Sequence, residues 1–483
     1  MSNLSELLPT GGGQNAVDFV ASGTLSSGQT VALKSDGTVT AVQATSIPNG
    51  TGAEVVFTSS NTVYISATYD SANNKVVVCY GDLGNSNYGT AVVGTVSGSS
   101  ISFGSAVVFQ SSSVLTPAPI YDSTNGKVVI AYTNYGNSGY GTAIVGTVSG
   151  TSISFGSAVV FESANTIDIT STYDSANSKL VVAYTDRGNS DYGTCRVGTV
   201  SGTSISFGSV QIFESAITYY SSATYDSTNN KVVIAYKDYT NSQYGTAIVG
   251  TVSGTSISFG SAAIFEYGTT DHISAVYDAN SQKIVIAYMD SSNSQYGTVR
   301  VGEVSGTSIS FPSASVVFNS AISTYIRATY DASTQKIVVA YQDNSFVNYG
   351  AAKVGTVSGT TISLGARVLF GGSSVSFINT TYDSTNNKVI IVYQRASQGR
   401  VEVWTTAYTA TNYTDFIGIT AEAISDTATG AVNVYGGINE AQTGLTIGSD
   451  YYVQDDGSLS TTASSVKVGQ AISATTINMM DLT

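Results

Sequence analysis

The feature that most constrains this chain is a repeat. A Tyr-Asp pair recurs at Tyr69, Tyr121, Tyr173, Tyr225, Tyr277, Tyr330 and Tyr382, at steps of 52 residues with one of 53. A fixed period of this length decides architecture before any local propensity does. Each copy reads as four strands: one ending at Tyr-Asp, one of the Lys-Val-Val-Ile-Ala-Tyr type, one of the Gly-Thr-Ala-Ile-Val-Gly-Thr-Val type, and one of the Ser-Ile-Ser-Phe-Gly-Ser-Ala-Val-Val-Phe type. Four short strands per repeat make one propeller blade, so the expected fold is all-β, a seven-bladed β-propeller. The first turn (226 to 231) and the third (252 to 256) hold the Asn, Ser and Gly that tight hairpins need.

The ends of the array show how it would close. A Phe lies 12 residues before six of the Tyr residues and before Tyr69 too, at Phe57, Phe109, Phe161, Phe213, Phe265, Phe318 and Phe370. Glu54 to Phe57 is therefore a fourth strand with no blade in front of it. The last copy has Lys388 to Tyr393 and a diverged third strand around Val401 to Tyr408, and then leaves the repeat. Pairing the early strand with the last copy gives a Velcro closure, which removes the exposed edges. The remainder, 1–45 and 410–483, emerges from both ends of the 46–409 propeller and is expected to form one small antiparallel β domain. Its signals are Ala21 to Val42 around the Ser35-Asp36-Gly37 turn, Phe416 to Ile424, Ala431 to Gly437, Tyr451 to Leu459 across Asp456-Gly457, and Ser465 to Thr476.

Charge and composition remove whole classes of function. A formal charge of -14 leaves no basic patch to neutralise phosphates, so no nucleic-acid partner is expected. Met1 to Leu8 lacks a basic start and an apolar core, and nowhere do about 18 apolar residues run together, so neither a signal peptide nor membrane insertion is expected. Synthesis would then be cytoplasmic. Cys79 and Cys195 fall at repeat positions otherwise mostly Ala, and read as small buried residues. No metal and no cofactor is implied.

The terminal segments carry a likeness. Ser22 to Val39 (Ser-Gly-Thr-Leu-Ser-Ser-Gly-Gln-Thr-Val-Ala-Leu-Lys-Ser-Asp-Gly-Thr-Val), Phe416 to Ser425, Gly444 to Gly457 and Val468 to Thr475 resemble small β domains of tailed-phage virion proteins, fibre and capsid-fibre types from marine and cyanobacterial phages among them. The resemblance covers the terminal quarter of the chain. It implies a virion component that meets other virion proteins through the terminal domain, and it brings no catalytic residues.

In a propeller the blade-entry loops and the loops joining second to third strands share one face, and variation among the copies falls on that face. Seven residues after each marker Phe stand Tyr64, Thr116, Asp168, Tyr220, His272, Tyr325 and Phe377; one position earlier stand Val63, Leu115, Ile167, Tyr219, Asp271, Thr324 and Ser376. One of the two sets should ring the mouth of the central channel. Tyr64, Asp168, Tyr219, Tyr220, Asp271, His272, Tyr325 and Phe377 are the candidate ligand-binding residues, because aromatic planes stack on sugar faces while carboxylate and imidazole bond hydroxyls. Packing between blades accounts for the same residue types. Asp82, Asp186, Asp238, Asp290 and Asp343 in the second-to-third loops read as turn-stabilising rather than calcium-binding. Arg196, Arg300 and Lys353, equivalent in three third strands, read as a solvated face.

No catalytic residue is expected. The function these observations imply is a virion structural or receptor-binding protein, head or tail appendage, that contacts host-surface glycan. Oligomerisation, as in a trimer, would raise avidity. The alternatives are a purely structural decoration protein, and a polysaccharide depolymerase using Asp168 with Asp271 across the channel mouth.

Overall fold

The computed structural model describes residues 15–480, so the Met1 to Leu8 segment read above lies outside the described residues. They divide into two compact units: one of the chain's two ends, up to Pro48 and from Ala407, and one spanning Asn49–Thr406. Among the described residues no helix is long and apolar enough to cross a membrane.

The larger unit consists of repeated antiparallel strands. In one copy, the Tyr-Asp strand pairs with Lys231–Asp238 (Tyr225↔Val232), which pairs with Tyr244–Ser253 (Ala235↔Ala247). The central strand is buried from Val232 to Asp238 on both faces, which is why it reads as an unbroken apolar run rather than an alternation. Its turns follow from local chemistry. Asp226 accepts hydrogen bonds from Thr228 N and Asn229 N at 3.0 Å and from the Asn229 side chain at 2.8 Å, so the conserved-looking Asp is a turn brace inside the sheet. Gly254 takes φ +61 at the first central position of a two-residue hairpin between Ser253 and Ser256, the position and sign a type II′ turn demands.

The fourth strand differs from expectation. It is two pieces on one edge: Ser256–Phe259 pairs with one end of Tyr244–Ser253, and Ala263–Asp278 begins on the other end of the same strand. Gly260 marks the break, where an added Cβ would meet the Thr307 carbonyl oxygen of the next copy at 1.9 Å. Beyond it Ala263–Asp278 runs for 16 residues without interruption, first as the outer strand of one copy and then as the innermost strand of the next.

Gly245 explains the recurring Tyr-Gly. A Cβ there would meet the Phe265 ring at 2.4 Å, so the marker Phe packs flat on a bare backbone and reaches Tyr288, 5.2 Å away between ring centroids. Apolar layers of this kind lie between adjacent copies; one joins Val181 and Ala183 to Val232, Ile234 and Tyr236. The same kind of layer joins the first copy to the last, Val76 and Tyr80 with Ile390, Val392 and Val401. Val55–Thr58 pairs antiparallel with Gln398–Thr405. The Tyr69 hydroxyl donates to Thr385 at 2.6 Å, as Tyr277 does to Thr228 between neighbouring copies.

The smaller unit is built from both ends of the chain. One five-stranded antiparallel sheet has the order Ala16–Val20, Thr429–Val434, Phe416–Thr420, Thr30–Leu33, Val39–Ala41, and another the order Ile438–Asn439, Ile477–Asn478, Lys467–Ala471, Asp450–Val453, Leu459–Ser460. Ala32 and Ile419 of the first pack with Tyr451, Val453 and Val468 of the second. Ala44–Ile47 and Tyr408–Thr411 form a separate ribbon. The Ala16–Val20 strand was not legible in the sequence: its burial alternates weakly, and its partner lies some four hundred positions away.

Candidate functional site

A cavity of about 430 Å³ is lined by all seven inner strands, through Tyr64, Thr116, Asp168, Tyr220, His272, Tyr325, Phe377 and the residues that follow them. These seven share one backbone state. Their φ values are 53°, 44°, 51°, 55°, 50°, 50° and 50°, in the left-handed region that non-glycine residues enter at a cost of roughly 1–2 kcal/mol each. At each the ladder slips, as between Tyr219 and Ser222 against Lys237 and Ala235, so that two residues oppose one. Such a bulge re-aims a side chain. Here the residue at the bulge lines the cavity, and the next, Ile65, Ile169, Ile273, Ile326 or Ile378, is buried, all of these but Ile326 also forming part of the cavity wall.

Five of the seven are rings in unbroken contact. Tyr220 lies 5.4 Å from His272, His272 5.6 Å from Tyr325, Tyr325 5.5 Å from Phe377, and Phe377 5.4 Å from Tyr64, all tilted. Each contact contributes about 0.5–1.5 kcal/mol, which offsets part of the backbone strain. Thr116 and Asp168 fill the gap in this crescent. Asp168 accepts a hydrogen bond from Tyr220 N at 3.0 Å; burial nevertheless raises its carboxyl above the usual carboxylate range. Burial, with Arg327 second, pushes the His272 imidazole down to about 4, so it is neutral at neutral pH and offers one donor and one acceptor.

The two remaining candidates lie outside the cavity lining. Asp271 is held by Lys237 Nζ at 2.9 Å and by the Ser291 hydroxyl at 2.6 Å, and Tyr219 packs edge-on against Tyr239 at 5.8 Å. The pairing of Asp168 with Asp271 across the mouth is therefore not made: a strand's alternation, kept up to the bulge, turns the earlier position toward the neighbouring strand. Arg196 and Arg300 also depart from the solvated-face reading. Arg300 donates to the Phe265 and Phe311 carbonyls at 2.9 and 3.1 Å, and Arg196 pairs with Glu162 at 3.8 Å. The loop aspartates do brace turns: Asp82, Asp186 and Asp343 accept from the backbone N–H two residues on, and Asp290 from Ser292 N and Asn293 N. Cys79 and Cys195 are free and buried in separate apolar layers.

One lining residue escaped the sequence reading. Two positions after the bulge residue the series runs Ser66, Ala118, Thr170, Ser222, Ser274, Arg327, Asn379, all lining the cavity. Arg327 is the single charge among small residues there. It lies nine residues after its marker Phe, beyond the two positions per copy that the sequence comparison singled out, which is why it did not stand out.

Thr116 carries a test of the strain. It is β-branched, precedes Pro117, has φ 44°, and its hydroxyl is buried without a partner. The β-branch and the following proline both disfavour the left-handed state, and the unpaired hydroxyl adds its own cost. Thr116→Asn, a residue that tolerates it, is expected to raise stability by about 1 kcal/mol. A lowered urea midpoint would show that the bulge is not strained at this position.

No family model matches the sequence, and no curated protein does either. Among solved structures, the BP39L lectin from Burkholderia pseudomallei superposes with a TM-score of 0.54 at 10% identity, covering 73% of this chain and 98% of the lectin. A chain of the mitotic checkpoint complex superposes with a TM-score of 0.49 at 9% identity, over 74% of this chain and 94% of that one. The chain is thus an all-β protein of repeated antiparallel strands with β-propeller-like structural neighbours.

Proposed function

We propose that Asn49–Thr406 is a seven-bladed propeller shut by Val55–Thr58, and that it binds a glycan in the cavity ringed by Tyr64, Thr116, Asp168, Tyr220, His272, Tyr325 and Phe377. Closure is supported by contacts between first and last copies that repeat those between neighbours, Tyr69 to Thr385 and Ala67 N to Asn379 among them. The observation that carries the binding reading is the crescent of five rings beside a carboxylate, held at strained backbone positions in all seven strands. Packing alone would not favour seven left-handed residues, five of them bulky; a surface that must present side chains to a ligand does. The superposition with a bacterial lectin agrees with this use of the fold.

Among the described residues Asp168 is the one carboxylate that lines the cavity, whereas glycoside hydrolysis draws on two. Holding a sugar, not cleaving it, is the reading we adopt. The likeness of the terminal segments to virion β domains gives the setting: a virion appendage whose smaller unit attaches it to other virion proteins and whose copies, in an oligomer, share the weak contacts with a host surface.

A glycan array followed by calorimetry tests this. The Tyr220→Ala, Tyr325→Ala double variant is expected to lose affinity at least ~100-fold while remaining folded, with a melting temperature lowered by the loss of its ring contacts to His272 and Phe377, since central aromatic anchors dominate such sites. Absence of saturable binding by the unaltered protein on a broad array would reject the reading in favour of a structural decoration protein.

A further inference from the structure

The cavity holds a cation that the protein itself leaves without a counter-charge. Arg327 Nη1 donates to the Ile326 carbonyl at 2.8 Å, and none of the ion pairs among the described residues includes it. Other arginines here are differently placed: Arg187, Arg196, Arg367, Arg395 and Arg400 pair with carboxylates, and Arg300 is bonded to two carbonyls. Arg327 stands two residues past Tyr325, one pleat further along the strand, about 6–7 Å from the ring tier. Where it stands, the other copies place Ser66, Ala118, Thr170, Ser222, Ser274 and Asn379. A guanidinium is charged at any physiological pH, and a half-buried one with a single backbone partner has four N–H donors to spare.

We propose, building on the glycan reading above, that the cavity selects an acidic sugar, whose carboxylate seats on Arg327 and whose ring lies against Tyr325 and Phe377. A planar carboxylate matches the guanidinium fork in two parallel hydrogen bonds. A doubly charged phosphate suits the site less well, because Asp168 stands in the same cavity. Asp168 and Arg327 belong to inner strands three copies apart, the widest separation a seven-membered ring allows. A ligand that is anionic at one substituent and hydroxylated at the other side fits that division: carboxylate toward Arg327, hydroxyl donors toward Asp168. The chain's net charge of -14 opposes an anionic ligand only at long range. At physiological ionic strength charges beyond about 8 Å are largely screened, so the contact with Arg327 decides the selectivity.

The probes are methyl glycosides of galacturonic, glucuronic and N-acetylneuraminic acid, each with its neutral methyl ester, and glutarate as a carboxylate without a sugar. They are titrated calorimetrically into the full chain and into Arg327→Ser, the residue that Ser66, Ser222 and Ser274 already place at this position. The expected result is at least a tenfold preference of one acid over its ester in the unaltered protein. Arg327→Ser should abolish that preference by lowering the acid's affinity at least tenfold more than the ester's, and melt as the parent does; Arg327→Lys should keep part of it. Equal binding of acid and ester overturns the proposal while leaving the glycan reading standing. So does glutarate binding as tightly as the best sugar acid. Binding of no sugar at all overturns both.

Discussion

Glu54→Ala is expected to lower the melting temperature of the larger unit by about 4 °C. Glu54 precedes the Val55–Thr58 strand, yet its partners lie in the last copy, 339 and more residues away: the Tyr393 hydroxyl at 2.7 Å, Arg395 Nη2 at 2.7 Å, and Arg400 Nη1. All three charged side chains are mostly shielded, at 18%, 23% and 13% exposure, so removing the carboxylate leaves two neighbouring guanidinium groups facing each other with little water to screen them. Breaking one side of a shielded charge cluster costs about 3–5 kcal/mol, and the lower end applies because none of these groups is fully buried. For a unit of this size 3 kcal/mol corresponds to about 4 °C. Glu54→Gln keeps an amide oxygen for Arg395 and Arg400 to donate to and should fall between the two, while Tyr393 retains Glu402 as acceptor at 2.6 Å in either variant. Limited proteolysis should find the bond before Val55 newly accessible in the alanine variant. A melting temperature within about 1 °C of the parent would mean that Val55–Thr58 is held by backbone pairing alone.

That joint also shows what could be read without coordinates. The repeat put Phe57 in series with the six later marker residues, and so assigned Glu54 to Phe57 to a strand whose partner had to lie in the last copy. The pairing of Val55–Thr58 with Gln398–Thr405 follows the same logic. The charge cluster did not follow, because Glu54, Arg395 and Arg400 each occur once, and a period carries no information about residues that break it. The site divides in the same way. The positions that would ring the channel were visible as the place where copies differ. Which of two adjacent positions faces the cavity was not, because simple alternation would have served either, and the bulge that settles it in favour of Tyr64, Thr116, Asp168, Tyr220, His272, Tyr325 and Phe377 is a backbone state without a glycine or asparagine to signal it. Arg327 was missed for a further reason: it stands two residues past the bulge, and without the bulge nothing in the sequence says that this position lines the same cavity as Tyr325.

The second large effect is a pH dependence centred on His272. Its imidazole titrates near 4 in the folded chain against about 6.5 in an unfolded one, chiefly through burial and then through Arg327, with Asp271 pulling weakly the other way; Tyr220 and Tyr325 stack on either side of it. Between these two values the unfolded chain binds the proton and the folded one does not, so stability contributed by the neutral ring is complete above about pH 7 and is lost as pH falls from 6.5 toward 4. A shift of this size corresponds to at most about 3 kcal/mol, less whatever screening water in the cavity restores. Asp168 works in the opposite sense, since burial raises its carboxyl and folding then favours the protonated form as pH falls, so the stability curve of the parent alone mixes the two. His272→Phe separates them. Phe377 already occupies the equivalent position with both ring contacts made, and the variant retains Asp168. Subtracting the parent's urea stability from the variant's should give a difference that is flat above pH 7 and grows in the variant's favour by up to about 3 kcal/mol on the way to pH 4. Parallel curves over that range would mean that water reaches the imidazole freely and that the cavity at His272 is wetter than the ring contacts imply.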